Sequence, residues 1–162
     1  MDQNQTRTLL RRIVSGGQTG VDRAALDAAL ERGIPCGGWC PKGRLAEDGP
    51  IPKRYPLRET PAPEYAQRTA WNVRDSDATL ILTWGPPTNG TAFTEHIARE
   101  TAKPCRVIDL ACETDPCATR DWLIQNDIKT LNVAGPRETK CPGIHAAAAH
   151  FLNALLNQCA PA

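Results

Sequence analysis

Short runs of apolar, β-prone residues alternate along the chain with stretches that repeat apolar positions at helical spacing. The apolar runs predict five strands, at residues 12–15, 34–39, 78–83, 105–110 and 130–134. The other stretches predict five helices, at residues 21–32, 64–74, 91–101, 116–126 and from Pro142 onward. Parallel neighbouring strands need crossover connections, which these helices supply. The pattern predicts a doubly wound α/β fold, with a mostly parallel sheet of about five strands and helices on both faces.

The first predicted helix has signals at both of its ends. Thr19, with Asp22 three residues later, forms an acidic variant of the capping box. Gly33 stands where a glycine in the left-handed conformation ends a helix. The helix is therefore expected to follow a glycine loop directly and to stop at Gly33.

Residues 40–63 show neither strand nor helix periodicity. This segment contains six prolines and charges of both signs, a composition that favours irregular structure. Long loops within a small domain are uncommon, and those that occur are usually functional or disordered. The sequence leaves two interpretations open, which are a lid or wall of a ligand site and a plain surface loop.

Length and composition fit one globular domain over residues 1–162, with residues 1–10 as a flexible or peripheral N-terminal segment. Apolar residues make up 41% and charged residues 23% of the chain, which excludes a disordered protein. The formal charge of +1 argues against nucleic acid and membrane surfaces as partners. Since neither a secretion signal nor a membrane-spanning run is present, we expect a cytoplasmic protein.

The seven cysteines form no Cys-x-x-Cys pair, and a chain of this size does not need disulfides for stability. Reduced thiols are therefore expected. Cys36 and Cys40 have no neighbouring histidine, so core packing is favoured over a structural zinc site. The sequence predicts no metal site.

Glycine-containing loops follow three of the predicted strands. We name them the first loop (residues 15–23), the second loop (residues 85–91) and the third loop (residues 134–138). The carboxyl ends of parallel strands lie along one edge of a sheet, so the three loops should meet at one ligand site. Glycines let the backbone approach a ligand, and free N–H groups at a helix N-terminus favour phosphate. A site for a phosphorylated small molecule is therefore predicted.

The first loop fits neither the dinucleotide-binding nor the Walker glycine pattern. Lys42 and Arg44 are either anion ligands or members of a solvated ion-pair network, and Asp22 is interpreted as a helix cap. The candidate binding residues are loop glycines, polar side chains beside them and cations able to pair with an anion, namely Gly16, Gly17, Gln18, Thr19, Gly20, Arg23, Lys42, Gly43, Gly85, Asn89, Gly90, Thr91, Thr94, Gly135 and Arg137.

Candidates for catalysis are few. The sequence has neither the residue order of a Ser-His-Asp triad nor a cluster of metal-ligating residues. Glu95 could act as a general acid or base, but a glutamate early in a helix is more often a favourable partner of the helix dipole. A binding protein is therefore favoured over an enzyme, with Glu95 as the alternative catalytic residue.

Several motifs together resemble the molybdenum carrier family, whose members are related to molybdenum cofactor carrier proteins. They are the first loop with Ala24, Cys-Pro-Lys-Gly-Arg at 40–44, Ala-Glu-Asp-Gly at 46–49, residues 72–81, Gly-Thr-Ala-Phe-Thr at 90–94 and residues 132–138. The resemblance implies a Rossmann-like fold and a homo-oligomer. It also implies that the site along the strand ends binds the molybdenum cofactor, a pterin dithiolene with a terminal phosphate, as cargo for a molybdoenzyme or a cofactor-synthesis protein.

The resemblance extends to nucleoside-monophosphate phosphoribohydrolases, once labelled lysine decarboxylases. Their pattern has Gly-Gly-x-Gly-Thr followed by paired glutamates, whereas Thr94 stands here where that chemistry needs a glutamate. Asn89 replaces a glycine that carrier-like chains tend to have, and asparagine tolerates the left-handed conformation. The leading hypothesis is a non-catalytic binding, carrier or storage protein for the molybdenum cofactor or molybdate. The alternatives are a nucleotide-binding domain and a nucleoside-monophosphate glycosidic-bond hydrolase that uses Glu95.

Overall fold

A five-stranded parallel sheet lies at the centre of the structure, a computed structural model that describes residues 10–159. Every neighbouring pair of its strands is parallel. In the order in which they lie side by side, the strands are β2 (Cys36–Gly37), β1 (Arg12–Val14), β9 (Thr130–Ala134), β7 (Ala78–Thr83) and β8 (Cys105–Asp109).

Helices cover both faces of this sheet. Within residues 10–159 they are α1 (Val21–Glu31), α2 (Tyr65–Arg74), α3 (Asn89–Glu100), α4 (Cys117–Gln125) and α5 (Ile144–Cys159). α5 packs against α1 and α4, while α2 packs against α3. The predicted Rossmann-like, doubly wound α/β fold is confirmed, and β7 and β9 have the predicted bounds.

The main core lies where α1 and α5 pack on the sheet. All six residues of β7 are buried. Small side chains on the inward face of α1 let it approach both the sheet and α5, whose Phe151 and Leu155 are also fully buried. Burying one such large side chain contributes about 1.5–3 kcal/mol. The strand ends that carry the loops are therefore held by a well-packed core.

One of the two signals at the ends of α1 is confirmed. At the C-terminal end, Gly33 has a φ of 65°, and the N–H groups of Gly33 and Ile34 donate to the carbonyls of Leu30 (3.2 Å) and Ala29 (2.9 Å), as in a Schellman motif.

The predicted capping box at the N-terminal end is wrong. The residue before the helix is Gly20, which has no side-chain cap. The hydroxyl of Thr19 donates to Glu47 of the 40–63 segment instead. Thr19 and Glu47 are 28 residues apart in the chain, so a tertiary contact has replaced the local cap.

The predicted second strand is shorter than expected because the chain turns at Gly38. This residue has a φ of 132°, and a Cβ added to it would lie 2.3 Å from the carbonyl oxygen of Ser15. Only β2 stays in the central sheet. Beyond the turn, β3 (Trp39–Cys40) pairs in parallel with β6 (Arg58–Glu59).

The 40–63 segment is more regular than the sequence predicts. Besides β6 it contains β4 (Leu45–Ala46) and β5 (Gly49–Pro50), which form an antiparallel pair. Its Ile51 and Tyr55 are buried in a small second core with Leu26 of α1 and with Cys40. The segment is thus folded onto α1.

Arg44 organises this segment rather than binding an anion. Its guanidinium donates to the carbonyls of Ile51 (3.0 Å), Pro52 (2.9 Å), Tyr55 (2.9 Å) and Leu57 (3.2 Å). Four backbone acceptors on one planar cation fix the path of the chain from 51 to 57, because each of these carbonyls would otherwise need another donor.

The expectation for residues 1–10 falls outside the described residues, except that Leu10 is buried in the core. Among residues 10–159, no helix is long and apolar enough to cross a membrane.

We predict that Arg44→Lys loosens the 40–63 segment while leaving the sheet intact, because an ammonium group cannot reach four carbonyls with the geometry of a guanidinium. Hydrogen exchange followed by mass spectrometry should show faster exchange at residues 44–60 and unchanged exchange in β7. Arg11→Lys, at an exposed arginine before β1, is the matched control. Equal exchange in both variants would contradict the role of Arg44.

Candidate functional site

A cavity of about 390 Å³ opens at the carboxyl ends of β1, β9 and β7. β9 lies between β1 and β7, so the winding of the chain reverses at this point. Parallel α/β sheets bind ligands where the winding reverses. The volume lies within the range of about 300–1,000 Å³ that is typical of small-molecule sites.

The cavity wall comes from four parts of the chain. These are the first loop, the start of α2, the second loop with the start of α3, and the third loop with the residues that follow it. The lining residues are Gln18, Asp22, Tyr65, Ala66, Arg68, Thr69, Thr88, Asn89, Gly90, Thr91, Phe93, Thr94, Ala134, Gly135, Pro136, Arg137, Lys140 and Cys141.

Seven of the candidate binding residues predicted from the sequence line this cavity. They are Gln18, Asn89, Gly90, Thr91, Thr94, Gly135 and Arg137. The remaining candidates lie beside the cavity or on the 40–63 segment. The structure therefore brings the three loops together. The first loop contributes only Gln18 to these seven residues, and the others come from the second loop, the start of α3 and the third loop.

A buried ion pair joins the first loop to α2 at the cavity wall. Nη1 of Arg68 lies 3.0 Å from Oδ2 of Asp22, and the same oxygen accepts the N–H of Gln18 at 3.2 Å. Burial raises the pKa of Asp22, and the guanidinium of Arg68 acts in the opposite direction. Asp22 is thus a partner of Arg68 and not a helix cap.

The glycines of the first loop make room for protein groups rather than for a ligand. A Cβ added to Gly16 would lie 1.5 Å from Nη1 of Arg68, and one added to Gly17 would lie 2.4 Å from Cδ1 of Leu57. At Gly20 the added atom would lie 2.3 Å from the carbonyl oxygen of Pro136. Close packing of the loop explains these glycines.

Arg23 lies outside the cavity lining. Its guanidinium binds both carboxylate oxygens of Asp48, with Nη2 2.7 Å from Oδ1, and its Nε donates to the carbonyl of Gly17. The hydrogen bonds to Asp48 lower the pKa of that carboxyl group. Arg23 therefore ties the first loop to the 40–63 segment.

The other candidates outside the lining contact other protein groups or lie in exposed turns. Lys42 and Gly43 are exposed on the 40–63 segment, where the N–H of Gly43 donates to Glu59. Gly85 occupies a turn after β7, with open space around it. Thr19 contacts Glu47.

The second loop presents an open helix N-terminus to the cavity. Thr88 precedes α3 without a side-chain cap, and Asn89 adopts the left-handed conformation, with a φ of 48°. No atom lies within 4 Å of a Cβ added to Gly90, so the backbone there is accessible from the cavity. This is the loop at which backbone N–H groups can meet a ligand.

Glu95 is not part of the cavity lining. Its Oε1 lies 2.7 Å from Nη2 of Arg99, one helical turn further along α3. Thr94 does line the cavity, where it is buried and donates its hydroxyl proton to the carbonyl of Gly90 at 2.9 Å. The carboxylate considered for catalysis is therefore engaged elsewhere.

Cationic side chains dominate the charge of the lining. The lining contains three cationic side chains, Arg68, Arg137 and Lys140, and one carboxylate, Asp22. The guanidinium carbons of Arg68 and Arg137 both lie 5.4 Å from the ring centre of Tyr65, within cation–π distance. The site is thus suited to an anionic ligand with a planar part.

Glu47 holds the first and third loops together. It accepts the hydroxyl protons of Thr19 and Thr139 and lies 3.9 Å from Nε of Arg137. Its own N–H donates to Oε1 of Gln18 at 2.9 Å. Burial alone would raise the pKa of Glu47, but the hydroxyls of Thr139 and Thr19 bring it below its ordinary value. The 40–63 segment is therefore an outer wall that braces the site.

Four charged or aromatic residues of the cavity are not among the candidates from the sequence, namely Tyr65, Arg68, Phe93 and Lys140. A positional signal exists for the first two. A crossover helix in a doubly wound sheet begins near the carboxyl ends of the strands, so the first two turns of α2 had to lie close to the loops. Lys140 follows the third loop without a comparable signal.

All seven cysteines are free thiols, and Cys141 lines the cavity. Among residues 10–159, no group of three or more His, Cys, Asp or Glu side chains is placed to hold a metal ion.

Comparisons with known proteins agree with this architecture. The profile of the "Circularly permutated YpsA SLOG family" matches residues 13–156. A 1.45 Å crystal structure from Syntrophus aciditrophicus SB, described as a "Putative molybdenum carrier protein", is 46% identical, has a TM-score of 0.88 and is matched over 91% of this chain and 96% of that chain. A comparison with curated proteins finds no match. The suspected family is confirmed.

Two glycines of the site should respond oppositely to alanine. Gly135→Ala places a Cβ 2.2 Å from the carbonyl oxygen of Leu82, so we expect a loss of about 1–3 kcal/mol in the free energy of unfolding. Gly90→Ala adds a methyl group in open space within α3 and should leave stability unchanged or slightly higher. Thermal unfolding of both variants tests this, and equal melting temperatures would refute it.

The contacts of Glu47 predict that acid lowers the free energy of unfolding. Because folding lowers its pKa, Glu47 stabilises the fold above its unfolded pKa, and this contribution is lost as the pH falls from about 4.5 through the folded value. In urea titrations between pH 7 and pH 3, the wild type should lose more free energy of unfolding than Glu47→Gln. Glu100→Gln, at an exposed position on α3, should follow the wild type. Parallel pH profiles for all three proteins would show that Glu47 does not contribute.

Proposed function

Because this chain belongs to the circularly permutated YpsA SLOG family, we propose that its cavity binds the molybdenum cofactor as cargo and that the protein is a non-catalytic carrier or store. The proposal depends chiefly on the charge of the lining. Three cationic side chains and the open start of α3 face the cavity, while the one carboxylate of the lining is already paired with Arg68. A ligand with acceptor oxygens is favoured by all of these groups.

The molybdenum cofactor fits this chemistry at both of its ends. Its phosphate and its oxo-metal group offer only acceptor oxygens, which match guanidinium, ammonium and backbone N–H donors. The pyrimidine ring of its pterin is planar, and Tyr65 and Phe93 provide aromatic side chains in the lining. Each charge-assisted hydrogen bond contributes about 1.5–3 kcal/mol, so a few such contacts suffice for firm binding.

A ligand that contains molybdenum is supported by the Syntrophus protein, which is described as a "Putative molybdenum carrier protein" and is 46% identical to this chain. Free molybdate would contact only a part of a cavity of about 390 Å³. The recipient that we propose for the cargo is a molybdoenzyme or an enzyme of cofactor synthesis.

A carrier is favoured over the glycosidic-bond hydrolase by the position of Glu95. An acid or base for that reaction has to lie within hydrogen-bond reach of the substrate, but Glu95 pairs with Arg99 outside the lining. The carboxylate that does line the cavity, Asp22, is bound by Arg68 and by the N–H of Gln18.

Binding can be tested by mixing the purified protein with molybdenum cofactor under anaerobic conditions and following pterin and molybdenum through gel filtration. We expect both to co-elute with the wild type. Arg137→Gln should weaken binding by about 10- to 100-fold, since it removes a charged donor from the lining. Arg120→Gln, on α4 and paired with Asp121, is a matched change away from the cavity and should bind as the wild type does.

Two results would contradict this function. One is the absence of both pterin and molybdenum from the protein peak. The other is the release of free base from nucleoside monophosphates at a rate that Glu95→Gln abolishes, which would identify the protein as a hydrolase.

A further inference from the structure

We infer that the carboxamide of Gln18 binds an oxyanion group of the ligand at the inner end of the cavity. This inference rests on the proposed function and specifies which group of the cargo enters first. Gln18 lines the cavity, and it is only 5% exposed. A side chain this buried needs partners for both atoms of its amide.

The orientation of this amide is fixed by the backbone. Oε1 of Gln18 accepts the N–H of Thr19 at 3.0 Å and the N–H of Glu47 at 2.9 Å. Both of these groups are donors, so the oxygen has to face them and the NH₂ group has to point the other way. Among the described residues, Nε2 has no hydrogen-bond partner.

A second residue of the cavity lining, Arg68, also has a buried donor without a partner in the described part of the chain. Nε of Arg68 has no partner among residues 10–159. The two residues are neighbours, because the N–H of Gln18 and Nη1 of Arg68 bind the same carboxylate oxygen of Asp22. Two residues that share this carboxylate oxygen therefore each carry a buried donor without a partner among the described residues.

This arrangement selects the chemistry of the group that enters. An amine or a ring N–H would oppose both donors, whereas an oxygen without a proton satisfies them. The inner group is consequently a phosphate or an oxo-metal end, and the planar part of the ligand lies toward Tyr65 and Arg137. Phosphate and oxo-metal oxygens offer the same acceptor chemistry.

The variant Gln18→Glu removes the NH₂ donor and puts a negative charge in its place, so the affinity that it changes is read together with the NMR signals of the wild-type NH₂ group. A glutamate retains an oxygen for the N–H groups of Thr19 and Glu47 but replaces the NH₂ group with an acceptor. Gln67→Glu is the matched control, since Oε1 of Gln67 also accepts a backbone N–H, that of Ala62 at 2.9 Å, and Gln67 does not line the cavity.

Calorimetric titration with molybdenum cofactor should show affinity at least about tenfold lower for Gln18→Glu than for Gln67→Glu. The melting temperatures of the two variants check that both are folded. Titration of the wild type followed by NMR is independent of any variant, and it should shift the side-chain NH₂ signals of Gln18. Titration with dephosphorylated cofactor shows whether Gln18 binds the phosphate or the oxo-metal end. If Gln18 binds the phosphate, its NH₂ signals should not shift with this ligand. If Gln18 binds the oxo-metal end, they should shift.

Failure of this inference differs from failure of the proposed function. If the wild type binds the cofactor but Gln18→Glu binds equally well and the NH₂ signals do not shift, the role of Gln18 is overturned and the carrier function stands. If the cofactor does not bind, the carrier function fails. Titrations with molybdate and with inorganic phosphate then decide about Gln18, since shifted NH₂ signals support an oxyanion site and unchanged signals with both ions overturn it.

Discussion

The buried ion pair of Asp22 and Arg68 is the contact on which the cavity depends. It attaches α2 to the first loop across the carboxyl ends of the strands, and Gly16 provides the space that the guanidinium occupies. Removing one partner of such a pair costs about 3–5 kcal/mol, because the other charge remains buried. The pair also orders the donors around it, since Gln18 binds the same carboxylate through its N–H. The same ion pair therefore stabilises the fold and positions donors that line the cavity.

Around this pair, each wall of the cavity is held by a different kind of interaction. The second loop is open because it begins a helix without a side-chain cap. The third loop is positioned by Gly20, on which it packs without room for a side chain. The 40–63 segment contributes through Glu47 and Asp48, whose partners on the first and third loops are Thr19, Arg23 and Arg137. A rigid sheet carries the loops, and ion pairs and hydrogen bonds between them set the shape of the site.

The sequence was sufficient for the elements whose residues interact locally or through a simple pattern. β7 and β9 are buried apolar runs, and the meeting of three loops follows from a parallel sheet. The left-handed Asn89 was also predictable from its residue type. The glycines of the first loop were predicted to face a ligand, but their neighbours are Arg68, Leu57 and Pro136. These contacts join residues far apart in the chain, and no local pattern indicates them. For the same reason, Thr19 was predicted to be a helix cap although it binds Glu47.

We propose that the strand ends and their loops form the ligand site. Anomalous diffraction at the molybdenum edge, from crystals of the wild-type protein grown with the molybdenum cofactor, tests it most directly because it locates the metal without assumptions about the ligand's pose. We expect one strong anomalous peak inside the cavity, between the start of α3 and the third loop or beside Gln18 and Arg68. A peak on another surface of the protein, or no bound molybdenum in crystals saturated with the cofactor, would contradict it.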